Sequence, residues 1–300
     1  MSTFKITLIS MMMAFVFFVP NIVKAENHHD KSPSFKSTQL TKNIFMLQGK
    51  GGNLGLIKGQ QGLLLIDADY KAMSGALKAA LNKHGGIEKV AYLINTHWHG
   101  DHTQGNFAVG KHAQIIAHDN VRSRLLTTQE IKLFKMVSKP YPKHALPSIT
   151  YAKKLSLHIN GEDIEIVHFA KGHTDGDSIV FLKNSNIVHM GDHFFSGFFP
   201  FVDVEHGGNV LTMANNVKTV LTMVNDKTKI IPGHGPLSNK KDLQAFHDML
   251  VGTVAEVKAM KDKGLSLDKI KAKGLSSKWL PWTKGFLSTD VWVGIIYSSL

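Results

Sequence analysis

Apolar positions along this chain follow two periods. Residues 44–47, 54–57 and 62–66 are short apolar runs joined by glycine-rich turns, which predicts three strands in a meander. Residues 72–84 place Met73, Leu77, Ala80 and Leu81 at helical spacing and end at Gly85-Gly86, so a helix is expected there. Strands are predicted next at 88–95 and 113–117. The lysine-rich, proline-broken stretch 127–147 is expected to be an irregular or partly helical excursion at the edge of a cleft. Strand signals return at 148–151, 155–159, 164–168, 178–182 and 187–190. Two apolar stripes follow, one through Val210, Met213, Val217 and Leu221 and one through Leu243, Phe246, Leu250 and Val257; both predict helices with a core-facing side. A capped final helix is expected at 288–297. The order of elements predicts two β-rich halves whose sheets pack face to face, with helices outside.

The hydrophobic share of 43% is sufficient for a sizeable core and excludes general disorder. Ahead of the first strand, Lys5, an apolar stretch from 6 to 19, Pro20 and the small-residue end Val23-Lys24-Ala25 have the layout of a secretory signal. The expected organisation is a signal peptide over 1–25 cleaved after Ala25, a flexible leader over 26–37, and one domain over 38–300 ending in helices. That apolar stretch is short for a permanent membrane span, so the mature chain is expected to be periplasmic or secreted. The 35 Lys+Arg against 23 Asp+Glu give +12. The lysines are scattered and arginine occurs only at Arg122 and Arg124, so the excess is expected to be a solvated basic surface and not a nucleic-acid groove. Without cysteine, thiol nucleophiles and thiolate ligands are excluded.

Candidate chemistry centres on Thr96-His97-Trp98-His99-Gly100-Asp101-His102, which follows the predicted strand at 88–95. In extended backbone His97, His99 and Asp101 share a face, and Gly100 lets His102 turn in beside them. Imidazole with carboxylate suits zinc, and less selectively iron or manganese. Four such groups exceed what one closed site needs, which points to two metals. Asp67 and Asp69, just past the third strand, either brace this loop or cap the next helix. The turn Gly49-Lys50-Gly51-Gly52-Asn53 is either a mobile flap or an ordinary hairpin turn.

Three later turns each put His or Asp beside glycine after an apolar strand: Gly172-His173-Thr174, Gly191-Asp192-His193 and Gly233-His234-Gly235. Together with His-x-His-x-Asp-His at 97–102 they resemble the metallo-β-lactamase fold superfamily over about residues 37–237. The resemblance implies an α/β (α+β) fold, an αβ/βα four-layer sandwich with a dinuclear zinc site at one edge. It further implies that His97, His99 and His173 hold one metal, that Asp101, His102 and His234 hold the other, and that Asp192 bridges. Such a pair shares a hydroxide available at neutral pH and polarises a substrate carbonyl. Asp101 is the candidate to orient the water and pass its proton to the leaving group. His193 either donates to the oxyanion or packs. The other histidines, His206 among them, match no ligand turn and are expected at the surface or in the core, with His168 and His189 as possible supports.

The expected substrate is a small molecule. True β-lactamases of the superfamily usually lack a bridging aspartate, so Asp192 looks more like its thiolesterase, lactonase and phosphodiesterase branches, whereas export favours wall-directed compounds such as β-lactams. The expected activity is therefore hydrolysis of a carbonyl C–N or C–O bond, with phosphodiester or thiolester hydrolysis, or iron redox chemistry, as alternatives. Phe194, Phe195, Phe198, Phe199 and Phe201 are expected to divide between an apolar wall of the cleft and the core.

Overall fold

The computed structural model describes residues 33–300; the expected signal peptide lies outside the described residues. The strands are β1 (Lys36–Gln39), β2 (Ile44–Gln48), β3 (Leu54–Gly59), β4 (Gly62–Ile66), β5 (Val90–Ile94), β6 (Gln114–His118), β7 (Gln129–Ile131), β8 (Met136–Ser138), β9 (Ile149–Tyr151), β10 (Lys154–Ile159), β11 (Glu162–His168), β12 (Ser178–Leu182), β13 (Ile187–His189) and β14 (Lys229–Ile231). One sheet has the order β1-β2-β3-β4-β5-β6-β9 and the other β10-β11-β12-β13-β14, while β7 and β8 pair by themselves. The longer helices are α1 (Ser74–Asn82), α2 (Val210–Met223), α3 (Lys240–Asp262) and α4 (Thr289–Ser299).

The sheets stack because their strands are apolar on both faces. Along β2, Ile44 and Met46 point to the other sheet, whereas Phe45 and Leu47 point outward; β4 divides the same way into Leu64 and Ile66 against Leu63 and Leu65. From the second sheet, Ile164, Ile166, Val180 and Leu182 meet that inner face. Outside, Leu77 and Leu81 of α1 cover the first sheet, and Val217, Phe246 and Trp292 of α2, α3 and α4 cover the second through Ile179, Phe181 and Ile230. Period-2 alternation buried on both sides is what a sheet between two layers requires. The result is the four-layer αβ/βα sandwich.

The helix boundaries follow their caps. Asn209 accepts from the backbone of Leu211 and Thr212 to start α2, Asn239 and Asp242 form a reciprocal capping box on α3, and Ser288 caps α4. Trp292 of α4 is fully buried, stacks on Phe199 at 5.6 Å and donates its indole N–H to Thr253 Oγ1 at 3.2 Å. Trp292→Ala is expected to cost about 3–5 kcal/mol, read as a lower denaturant midpoint at unchanged slope. Among the described residues no helix is long and apolar enough to cross a membrane.

Two expectations need correction. Lys36 and Ser37, assigned to the leader, pair with Gln48 and Leu47 as the start of β1. The stretch 127–147 borders the cleft and carries short helical turns at Lys132–Phe134 and Lys143–Ala145 as expected, but it also contains a small antiparallel hairpin, β7–β8, whose Ile131 is buried. The hairpin lysines, Lys132 and Lys135, lie in the exposed turn between the strands, and Met136 and Val137 of β8 are both exposed, so no alternation marks the hairpin in the sequence. The expected strand near 149–151 closes the first sheet beside β6.

Candidate metal centre

Strands β4 and β5 run parallel, as do β13 and β14, and the segments of interest leave their C-terminal ends together. His99 sits on extended backbone (φ −62°, ψ 149°), whereas His97 lies in a bend that follows β5 and not on the expected extension. Asp101 and His102 instead lie on one short helical turn, Gly100–Thr103, which points both side chains back toward the preceding pair. Two groups result. His97, His99, His173 and Asp192 converge in one, and Asp101, His102 and His234 in the other. Asp192 lies between them: Oδ2 is 3.3 Å from His173 Nε2 and 3.5 Å from His234 Nε2, and Oδ1 is 3.1 Å from His102 Nε2. All seven residues singled out from the sequence therefore meet at one place.

The ring nitrogens facing away from the cluster are committed to acceptors. His99 Nε2 donates to Asp203 at 3.0 Å, His102 Nδ1 to Asp67 at 2.7 Å and His173 Nδ1 to the Phe201 carbonyl at 2.7 Å. His97 Nδ1 donates to Thr96 Oγ1 at 3.1 Å, and that hydroxyl in turn donates to Asp67. The His97, His99 and His173 rings therefore each present a lone pair inward. His99 Nδ1 and His173 Nε2 face each other at 2.8 Å, and His97 Nε2 is buried without any hydrogen-bond partner. Lone pairs at that separation repel, and an orphaned buried polar atom costs about 1–3 kcal/mol. A cation resolves both, so the donor set fits a divalent metal.

Protonation divides the groups in the same way. Burial lowers the pKa of His173 to about 4 and that of His97 well below its ordinary value, which leaves both rings neutral. At His102 and His234 burial acts in the same direction but is outweighed by Asp192 and Asp101, so His102 is raised well above its ordinary value and His234 to about 9. Burial would raise Asp101, yet His102 and His234 outweigh it and hold it at about 2. At pH 7 a bare second group thus holds protons that a cation must displace. Uptake of zinc at pH 7 is expected to release one proton each from His102 and His234 and none from His97 or His173. The His234 share of that release declines as pH rises through about 9, which calorimetry in buffers of different ionisation enthalpy measures.

Close approach at the centre depends on glycine. A Cβ on Gly52 would collide with the His102 ring, and one on Gly233 with the Asp192 carboxylate. The glycine-rich turn is pinned as an ordered hairpin connection: Asp69 accepts from the backbone of Lys50 and Gly51, Gly52 N–H donates to the Asp101 carbonyl and Asn53 N–H to that of Gly233.

Asp67 proves to be the brace: fully buried, it accepts from Thr96 N–H, Thr96 Oγ1 and His102. His193 packs, its Nε2 accepting from Asn216 Nδ2. His189 ties the glycine turn to the Asp192 turn, donating to the Asn53 carbonyl and accepting from Gly191 N–H. Sequence reading passed over Asp203, which lies in no ligand turn and supports His99 only through the fold. It also left out His206, which donates to Asp203 at 2.8 Å from behind. The spacing Asp203-x-x-His206 was the available signal, and it is weak.

The phenylalanines divide as expected. Phe194 and Phe199 pack on Phe246 and Trp292, whereas Phe195 and Phe201 line a cleft of about 420 Å³ over the two groups. Trp98 is buried beside His206 and packs.

A family model described as the metallo-beta-lactamase superfamily matches residues 47–235, which include all seven clustered side chains. The chain is 27% identical over 206 residues to a probable metallo-hydrolase of Methanocaldococcus jannaschii, covering 66% of this chain and 95% of that protein. A metallo-beta-lactamase from Pontibacter korlensis superposes with a TM-score of 0.58 at 15% identity, over 73% of this chain and 99% of its own. The sec-alkylsulfatase Pisa1 from Pseudomonas sp. superposes with a TM-score of 0.66 at 15% identity, over 88% of this chain and 50% of its own. At these identities the structural likenesses speak to the fold.

Proposed function

The chain belongs to the metallo-beta-lactamase superfamily, and from that premise we propose that it is an exported dinuclear zinc hydrolase that opens a carbonyl C–N or C–O bond in a β-lactam, lactone or ester. The observation behind this reading is the convergence of three inward imidazole lone pairs beside a carboxylate shared with a second His/Asp group. His97, His99 and His173 would hold one zinc, Asp101, His102 and His234 the other, with Asp192 common to both. Bound there, such ions supply a water that ionises near neutral pH and positive charge for a developing oxyanion.

The side chains around the centre have separate tasks. Asp101 reaches the cleft surface and is ionised at neutral pH, so it accepts a hydrogen bond from the attacking water and passes that proton to the leaving group. Tyr70 lines the same cleft; burial and the carboxylates of Asp101, Asp69 and Asp192 keep its phenol protonated as a donor for a substrate oxygen. Asp203 and Asp67 hold His99 and His102 in the tautomers that face inward.

The test is a panel of a chromogenic cephalosporin, an acyl-lactone, an aryl ester, a thiolester and an aryl phosphodiester, offered to the zinc-loaded chain. Turnover of a lactam, lactone or ester, lost on chelation and restored by zinc, is expected; turnover of the phosphodiester alone would overturn the proposal. Export rests on the sequence at 1–25, and the exported chain is expected to begin at Glu26 by N-terminal sequencing.

A further inference from the structure

The cleft over the metal centre is divided by polarity. Its floor carries Asp101, Asp192, His99 and His234, and its walls carry Ile131, Phe134, Met136, Phe195, Phe201 and Phe286. Its volume of about 420 Å³ lies within the range of small-molecule sites, about 300–1,000 Å³. The aromatic wall is continuous: Phe201 meets Phe134 at 4.9 Å, Phe134 meets Phe286 at 6.0 Å, Phe286 meets Phe195 at 6.3 Å, and Phe195 stacks on His234 at 5.1 Å.

Two of these rings come from places unrelated to the ligand turns. Phe134 sits at the tip of the β7–β8 hairpin. Phe286 comes from the segment before α4, beyond the residues 47–235 that the family model matches. Both positions are built. The backbone that carries Phe286 lies directly on Phe198, where a Cβ at Gly285 would come within 2.6 Å of the ring, and Phe199 N–H donates to the Trp282 carbonyl at 3.0 Å. Yet Phe286 is 54% exposed and Met136 38%, so large apolar surface is held at the cleft mouth with nothing among the described residues covering it. Holding such groups against water beside a charged floor is unfavourable unless the substrate covers them.

We infer that the substrate is amphipathic: a carboxylic ester or lactone whose scissile carbonyl meets the polar floor while an apolar acyl group of medium chain length lies along Phe134, Phe195, Phe201 and Phe286. This rests on the hydrolase reading above and names the class of substrate that the same site selects. The hairpin and the segment before α4 are then specificity elements, and the ligand turns supply the chemistry.

Two measurements on the zinc-loaded chain test it. The first compares kcat/KM for p-nitrophenyl acetate, butyrate and octanoate. An increase of at least about tenfold from butyrate to octanoate is expected from the added apolar burial, and Phe134→Ala and Phe286→Ala should each shrink that ratio. The second titrates butyrate and octanoate as ligands by calorimetry. Octanoate should bind at least about tenfold tighter in the wild type, with a negative heat-capacity change, and lose that advantage in a chain carrying both substitutions. Equal binding of the two acids, or an advantage that survives both substitutions, would overturn the inference even if short esters are hydrolysed. Octanoate-selective binding without turnover of any ester would support the apolar wall and defeat the hydrolase reading instead. Since both rings are at least partly exposed, unchanged thermal midpoints are expected to accompany the loss.

Discussion

Replacing Asp192 by alanine is expected to lower kcat/KM by about 10³-fold and to abolish the paired occupancy of the two groups. Among the described residues the side chain is the one acceptor common to both, with His173 and His234 on one oxygen and His102 on the other. Burial would raise its pKa, but His102, His234, His173 and His97 around it outweigh that and keep it well below the ordinary carboxylate value. Without it, a second cation would lose the charge that offsets its neighbour's. A deficit of roughly 4 kcal/mol in charge stabilisation corresponds to about three factors of ten in rate. Asp192→Asn keeps the shape and removes the charge, so it should reproduce most of the loss. Steady-state kinetics with parallel zinc analysis checks both. A variant that keeps two ions and wild-type turnover would remove Asp192 from the centre.

The second large effect is expected at a residue that reaches neither cleft nor cation. Asp67 is completely buried at φ 60° and accepts from three donors, one of them His102. Asp67→Ala strands these donors at about 1–3 kcal/mol each and places a Cβ-bearing residue without a local hydrogen-bonding group in the left-handed region. The expected result is a loss of at least about 3 kcal/mol in folding stability. Asp67→Asn tolerates the backbone and separates the two roles. It is expected to retain most of the stability while weakening zinc affinity of the His102 group by about 10–100-fold, since an amide no longer holds the His102 ring as the charge does. Denaturation and zinc titration of the same two variants distinguish support of the ring from support of the fold.

Much of this was legible from spacing alone, for a physical reason. Ligands of one centre must leave strand ends on one edge, and glycine must sit where backbone crowds them. His97, His99, Asp101 and His102 in a single run, with glycine-flanked His173, Asp192 and His234 after later strands, therefore advertise themselves. The double-sided apolar runs of β2, β3 and β4 likewise fix a sheet between two layers.

What escaped notice acts through tertiary contact. Asp203 follows a phenylalanine run and resembles any loop carboxylate until the fold brings it to His99. Phe286 lies in a segment of weak periodicity and meets Phe134 only because Gly285 rests on Phe198. The β7–β8 hairpin was hidden by Lys132 and Lys135 at its exposed turn. Asp101 was placed on the correct side by an extended alternation that the chain does not use; a helical turn delivers it there.

The most direct test of the paired centre is elemental analysis of the purified, zinc-equilibrated chain alongside Asp192→Ala. Two zinc ions per chain are expected in the wild type, falling together with activity in the variant. A wild-type chain that holds no divalent ion while retaining its activity would contradict the paired centre.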